Sequence, residues 1–238
     1  MHWRGDPRID GSVSERDYEV TVAGHVVPGV LWRPIRAAVP VPLVLLGYGS
    51  GGHRRDGSRA WQGNWFAQRG VGATSIDLDG HGERSRADGT RPDYGPLVDR
   101  VSAEWRAALD ACAALADIDA TRVAYRGVSM GTMLGLPFIV SEPRVVVAAL
   151  GLADLRDVPG RFSDIGQRLR EAAPLLRCPV LFVMNWDDEL VDRASAFELF
   201  EALGTVDKEL RAYPGPHGAV PAPATESGMQ YLLDHLTS

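Results

Sequence analysis

The sequence predicts an α/β fold, with a mainly parallel sheet of about eight strands, helices on both faces and an antiparallel hairpin at the N-terminal edge. Two observations carry this. The runs Val41–Gly47 (VPLVLLG) and Pro179–Asn185 (PVLFVMN) are continuously apolar, as strands buried on both faces are. Strand-like and helix-like segments also alternate from residue 41 to the C-terminus, which calls for parallel strands joined by crossover helices.

Each element has its own signal. Residues 1–16 (MHWRGDPRIDGSVSER) are polar and read as a flexible lead-in to one domain spanning 17–238. Glu19–Ala23 and Val26–Arg33 alternate as two antiparallel strands about a turn at Gly24-His25. After Val41–Gly47 and a glycine-rich loop, Ala60–Arg69 is amphipathic and Gly70 ends it. Val71–Asp77 is a strand, and Leu97–Asp117 a long helix with apolar positions at Val101, Trp105, Leu109, Cys112 and Leu115. Val123–Val128 is a strand, Met130–Ser141 a helix and Val145–Leu150 a strand. The run Pro179–Asn185 is followed by a helix over Arg193–Leu203, a strand over Lys208–Tyr213 and a helix over Thr225–Leu236. Gly151–Arg177 breaks the rhythm. It is too short for a second domain and reads as a small lid-like insert.

Composition excludes several classes. The 238 residues are 45% hydrophobic and 24% charged, a globular balance rather than a disordered one. No stretch has the roughly 18 consecutive apolar residues of a membrane span. The N-terminus lacks the apolar core of a secretory signal, and with two cysteines, Cys112 and Cys178, a cytoplasmic setting is expected. A net charge of −6 argues against a nucleic-acid binder.

The chemistry concentrates at strand ends. Gly127-Val128-Ser129-Met130-Gly131 joins a predicted strand to a predicted helix, and a sharp turn there exposes a serine hydroxyl. An ordinary turn with a serine N-cap is the plain alternative. A hydroxyl needs a base before it attacks. Of six histidines, His217 lies in the loop directly after the last predicted strand, the stiff Tyr213-Pro-Gly-Pro-His-Gly218. An imidazole needs a carboxylate to fix its tautomer. Asp187, Asp188 and Glu189 follow the next-to-last strand; Asp188 is preferred and Asp187 is the alternative. The loop Gly47-Tyr48-Gly49-Ser50-Gly51-Gly52-His53 is flexible enough to bring a backbone amide to a tetrahedral intermediate, so the amides of Ser50 and Met130 are the expected oxyanion donors. Tyr48, Trp186 and Trp65 are candidate substrate-binding residues, with core packing the alternative for Trp65 and for Trp61 on the same helix face. Arg54, Arg55 and Arg59 beside the glycine loop read as solvated, the alternative being a carboxylate-bearing substrate. His53, at the end of the glycine loop, reads as a loop-fixing or rim residue rather than a base. No metal-ligand spacing is present, so neither metal nor organic cofactor is expected.

Over residues 19–236 the elbow GVSMG, the loop GYGSGGH, the segment DLDGHGER, the turn NWDDELV and the terminal PGPHG occur in an order that resembles the α/β-hydrolase superfamily. Within it the chain is most similar to small single-domain serine esterases and dienelactone-hydrolase-like proteins. The resemblance implies the α/β-hydrolase fold. The family's acid turn, Gly-x-x-Asp-x-x-Val, aligns with Asn185–Val191 and places its acid at Asp188, with asparagine in place of glycine. Tyr48 replaces the family's usual histidine in the oxyanion loop, and His81 falls in a segment the superfamily often keeps as a structural turn, which implies a structural role for it. Dienelactone hydrolases proper use a cysteine nucleophile, so Ser129 does not imply their lactone chemistry. The expected function is hydrolysis of small carboxylic esters with short to medium acyl groups, through a Ser129–His217–Asp188 triad and an acyl-enzyme. A thioesterase, amidase, peptidase or acyltransferase with the same triad is the alternative, as is a non-catalytic ligand-binding homologue.

Overall fold

A computed structural model describes residues 1–37, 39–157 and 159–237. Among the described residues nine strands form one sheet: β1 (His2–Asp10), β2 (Val13–Val22), β3 (His25–Pro34), β4 (Val41–Leu46), β5 (Gly72–Ile76), β6 (Ile118–Arg126), β7 (Val145–Gly151), β8 (Val180–Asn185) and β9 (Lys208–Tyr213). Their spatial order is β1-β2-β3-β5-β4-β6-β7-β8-β9. The first four in that order are antiparallel, and from β5 to β9 every neighbour is parallel.

The central strand shows why the apolar run was diagnostic. All six residues of β4 are buried. Leu43 and Leu45 face one core while Val44 and Leu46 face the other, because successive side chains alternate across a sheet. Each fully buried aliphatic side chain of this kind contributes about 1.5–3 kcal/mol. The first core is closed by α2 (Val98–Ala113), α3 (Met130–Val140), α4 (Ile165–Ala172) and α5 (Arg193–Ala202), through Trp105, Leu134, Leu169 and Leu199 among others. The second is closed by α1 (Gly57–Ala67) and α6 (Ala222–Thr237), through Phe66, Met229 and Leu232.

The N-terminal expectation is corrected. Residues 2–10 are a strand and β2 starts at Val13, so the sheet has nine strands and no separate lead-in. All but one residue of β1 are exposed, and its sequence therefore carries no apolar alternation. It is held by ladder bonds and by charge: Arg8 donates to Glu15 (2.9 Å) and Asp17 (2.8 Å), and Arg4 pairs with Glu83 (2.5 Å). The hairpin turn between β2 and β3 lies one residue earlier than expected, at Ala23-Gly24, both with positive φ (48° and 81°).

Asp77, just past β5, ties this edge to the glycine loop. It is fully buried, accepts from the amides of Arg54 and Glu83 (2.9 Å each) and pairs with the Arg54 guanidinium, itself 4% exposed. Gly82 has φ 52°, and a Cβ there would lie 2.2 Å from the Asp77 carboxylate, so a side chain at 82 is excluded twice over. Asp77→Ala strands Arg54 in a buried setting, relieved only in part by Glu83 and Asp17. It is expected to lower unfolding free energy by about 3 kcal/mol, the low end for a broken buried pair. Urea denaturation measures this directly.

The insert contains α4 and forms a wall over the carboxyl ends of the strands; Val158 within it lies outside the described residues. No helix among the described residues is long and apolar enough to cross a membrane.

Candidate active site

Loops at the carboxyl ends of β4, β6, β7, β8 and β9 converge on one cleft. The tightest is the turn between β6 and α3. Ser129 has φ 54° and ψ −123°, a strained conformation for a non-glycine residue. Its surroundings hold it there. The Ser129 amide donates to Gly151 O and the Gly127 amide to Ala149 O, both at 2.9 Å on β7. Thr132 Oγ1 lies 2.9 Å from Gly127 O and 2.7 Å from Gly151 O, and accepts from the Gly151 amide. Both elbow glycines are needed for clearance. A Cβ on Gly127 would fall 2.5 Å from Gly131 O, and one on Gly131 would fall 2.9 Å from the Tyr48 amide nitrogen. The glycine loop after β4 therefore packs backbone-to-backbone against the elbow.

His217 lies in the loop after β9, with its side chain largely buried. Its Nε2 is 2.9 Å from Ser129 Oγ, and its Nδ1 is 2.8 Å and 3.0 Å from the two Asp188 oxygens. Asp188 is 3% exposed through its side chain, and its Oδ1 also accepts from the amides of Leu190 and Val191 at 2.9 Å each. These bonds aim the carboxylate at the imidazole. The His217 loop is anchored independently: its own amide donates to Glu189 (2.8 Å), and Asn185 Nδ2 donates to Pro216 O (2.7 Å). The bond from the His217 amide lowers the Glu189 pKa. Asp187 turns away from the imidazole and accepts from the Gly215 amide at 3.2 Å. The geometry thus brings Ser129, His217 and Asp188 together and leaves Asp187 out.

The Ser50 and Met130 amides make no hydrogen bond among the described residues. Met130 is the first residue of α3, where a helix leaves its amides unpaired. Ser50 lines the same cleft as Ser129 and His217.

Of the three substrate-binding candidates, only Tyr48 lies at the cleft. It is almost wholly buried, and its hydroxyl accepts from the Leu78 amide at 2.8 Å, so it shapes the floor. Trp186 and Trp65 are corrected. Trp186 is exposed, with the Arg193 guanidinium 4.0 Å above its ring. Trp65 packs edge-on against Phe66 with Arg69 over its other side. Neither lines the cleft. His81 is structural as expected: Nδ1 is 2.8 Å from Gly52 O and Nε2 is 2.7 Å from the Tyr94 hydroxyl, and burial lowers its pKa.

The cleft has two lobes sharing Ser50, Ser129 and His217. One, of about 230 Å³, is walled by Met133, Phe162, Ile165, Leu190 and Val191, with Asp154 and Arg156 also lining it. The other, of about 360 Å³, is walled by the glycine loop, Asp56, Ser58, Arg59, Leu152 and Val220. The apolar wall was not anticipated. Met133 carried a usable signal, four residues after Ser129 and hence on the same helix face. Phe162 and Ile165 arrive from the insert and carried none. The three arginines are not solvated as a group. Arg54 and Arg59 are buried, Arg55 pairs with Glu15 and Asp17, and only Arg59 lines the cleft.

No protein-family model matches the chain, and no curated protein does. Among solved structures, a cold-adapted esterase from an Arctic intertidal metagenomic library, in a polyethylene glycol complex, is 37% identical over 100% of both chains with a TM-score of 0.85. An acetyl xylan esterase from Paenibacillus sp. R4 is 18% identical, with 99% of this chain and 89% of that one covered and a TM-score of 0.76. A candidate dienelactone hydrolase from Klebsiella pneumoniae subsp. pneumoniae MGH 78578 is 19% identical, with 94% and 98% covered and a TM-score of 0.73. The last two share the fold; the first shares sequence along its whole length as well. With nine strands in this order and 37% identity to an esterase from end to end, the chain belongs to the α/β-hydrolase superfamily, shares its fold with the dienelactone hydrolase, and is a hydrolase of the esterase class.

Proposed function

We propose that the protein hydrolyses small carboxylic esters with short to medium acyl groups, by way of an acyl-enzyme on Ser129. The observation that carries the reading is the unbroken chain Ser129 Oγ–His217 Nε2 (2.9 Å) and His217 Nδ1–Asp188 Oδ2 (2.8 Å). In it, Ser129 attacks the ester carbonyl while His217 Nε2 takes the hydroxyl proton. The carbonyl electrons move to oxygen, and the amides of Ser50 and Met130 donate to the oxyanion. One such donor is typically worth about 3 kcal/mol. Collapse expels the alcohol, which leaves with the proton from His217. Water then gives its proton to His217 and attacks the acyl-enzyme, and the acid departs as Ser129 regains its hydrogen. Asp188 stabilises the imidazolium formed in each half.

The small size of the ester is supported by the apolar lobe, whichever half of the ester it holds. Its volume of about 230 Å³ is below the roughly 300–1,000 Å³ of pockets that hold drug-sized ligands, and the insert closes its far side. The full-length identity to an esterase favours esters over the thioesters, amides and acyl transfers that the same triad serves. A cytoplasmic setting is supported by Cys112 and Cys178, both free thiols.

The test is a series of p-nitrophenyl esters from two to twelve acyl carbons, run beside labelling with a fluorophosphonate and mass mapping. The expected result is a rate optimum among the short esters and a single adduct on Ser129. Folded protein that neither turns over an ester nor takes the label would overturn the reading in favour of ligand binding.

A further inference from the structure

The larger lobe of the cleft has a charge imbalance that the triad does not use. Arg59 enters it from the first turn of α1, with its side chain 8% exposed. Nη1 donates to Gly47 O (2.8 Å) and Nη2 to Ser58 Oγ (2.7 Å), while Nε is buried without a partner. The nearest carboxylate, Asp56, is 3.7 Å from Nε and is already engaged by the amides of Arg59 and His53. Directly behind stands Arg126, the last residue of β6 and three residues before Ser129. The two are joined through Gly47, whose carbonyl accepts from Arg59 and whose amide donates to Arg126 O (2.7 Å).

Arg126 is 4% exposed, and among the described residues its side chain makes no hydrogen bond and no ion pair; its Nε is buried and unpartnered. Burial, and then the charge of Arg59, push its guanidinium down to about 9. That is still above neutral pH, so the charge remains. Arg59 thus lines the lobe and Arg126 lies buried behind it, two guanidinium groups with Asp56 as the one carboxylate near Arg59. An uncompensated buried charge costs several kcal/mol, and a site of this kind is completed by an anion.

We propose that this lobe receives the carboxylate of an anionic ester, contacted by Arg59 and drawn in by the charge of Arg126 behind it. The inference rests on the ester-hydrolase reading and narrows it: the substrates are half-esters of dicarboxylic acids or esters of hydroxy acids. Their uncharged half lies along Met133, Phe162 and Leu190 in the apolar lobe. A guanidinium offers the paired donors that suit a carboxylate.

The experiment compares p-nitrophenyl hemiglutarate with p-nitrophenyl valerate, which have the same acyl length and differ by one negative charge. It uses the wild type, Arg59→Met and Arg126→Met, each checked for folding by circular dichroism. Wild type is expected to show kcat/KM at least about tenfold higher for the anionic ester, with the preference shrinking at high salt, and both variants are expected to lose most of it. Independently of turnover, free glutarate is expected to raise the Tm of wild type and not that of Arg126→Met. A wild-type ratio near one, or a ratio unchanged in both folded variants, would overturn the assignment. So would a glutarate-induced Tm rise without any ester preference, since the anion would then be a free ligand rather than part of the substrate. Failure of the esterase reading itself shows separately, as inactivity on the valerate ester.

Discussion

Ser129→Ala is expected to lower kcat on a short p-nitrophenyl ester by about 10⁴- to 10⁶-fold while KM stays within about threefold. The asymmetry follows from what is removed. In the proposed mechanism Ser129 Oγ, bonded to His217 Nε2, forms the covalent bond to the acyl carbon, whereas the cleft walls from Met133 to Val191, which would hold the ground-state ester, are untouched. The backbone is also expected to survive. Alanine meets the φ of 54° with no greater steric cost than serine, and Gly127, Gly131 and Thr132 still pin the turn. Thermal stability should therefore equal or exceed that of the wild type. A residual rate of about 10³–10⁴ over water is expected to persist, because the oxyanion amides and the binding walls remain. Steady-state kinetics with freshly purified variant protein decide the matter. Activity within about tenfold of wild type would mean that Ser129 is not the nucleophile.

Which parts of this arrangement were legible in the sequence has a physical logic. The buried parallel strands were, because a segment like VPLVLL that is apolar on both faces has few places to go except between two layers. The elbow was, because its two glycines are demanded by contacts below 3 Å that any Cβ would make. β1 was not, since it sits at the sheet edge with Arg4 and Arg8 bound to acids on other segments, and cross-strand charge leaves no hydrophobic period. Trp186 and Trp65 were misread because nearness in sequence does not fix direction. The amide of Trp186 continues the ladder to Tyr213 O (2.7 Å) while its ring turns out beneath Arg193. Arg59 and Arg126 illustrate the opposite limit. One looked like a solvated loop residue and the other like a strand end, and only their shared burial makes them informative.

Asp188→Asn is expected to cost about 10³- to 10⁴-fold in kcat, while Asp187→Asn changes it by less than about threefold. The two residues are adjacent and chemically identical, so the contrast isolates geometry. Both Asp188 oxygens face His217 Nδ1, at 2.8 Å and 3.0 Å, and Oδ1 also accepts from Leu190 and Val191. An asparagine can satisfy the two backbone amides with its carbonyl oxygen. That choice turns its NH₂ toward Nδ1, which must then accept. The ring proton moves to Nε2, 2.9 Å from Ser129 Oγ, and Nε2 can no longer take the serine proton. The alternative orientation keeps the tautomer but sets an NH₂ against the amides of Leu190 and Val191 and removes the negative charge that stabilises the imidazolium. Both routes damage catalysis more than folding. Asp187 offers its oxygen only to the Gly215 amide at 3.2 Å, a bond an asparagine carbonyl can keep. Paired kinetics on the two variants read this out, and the opposite ranking would transfer the triad carboxylate to Asp187.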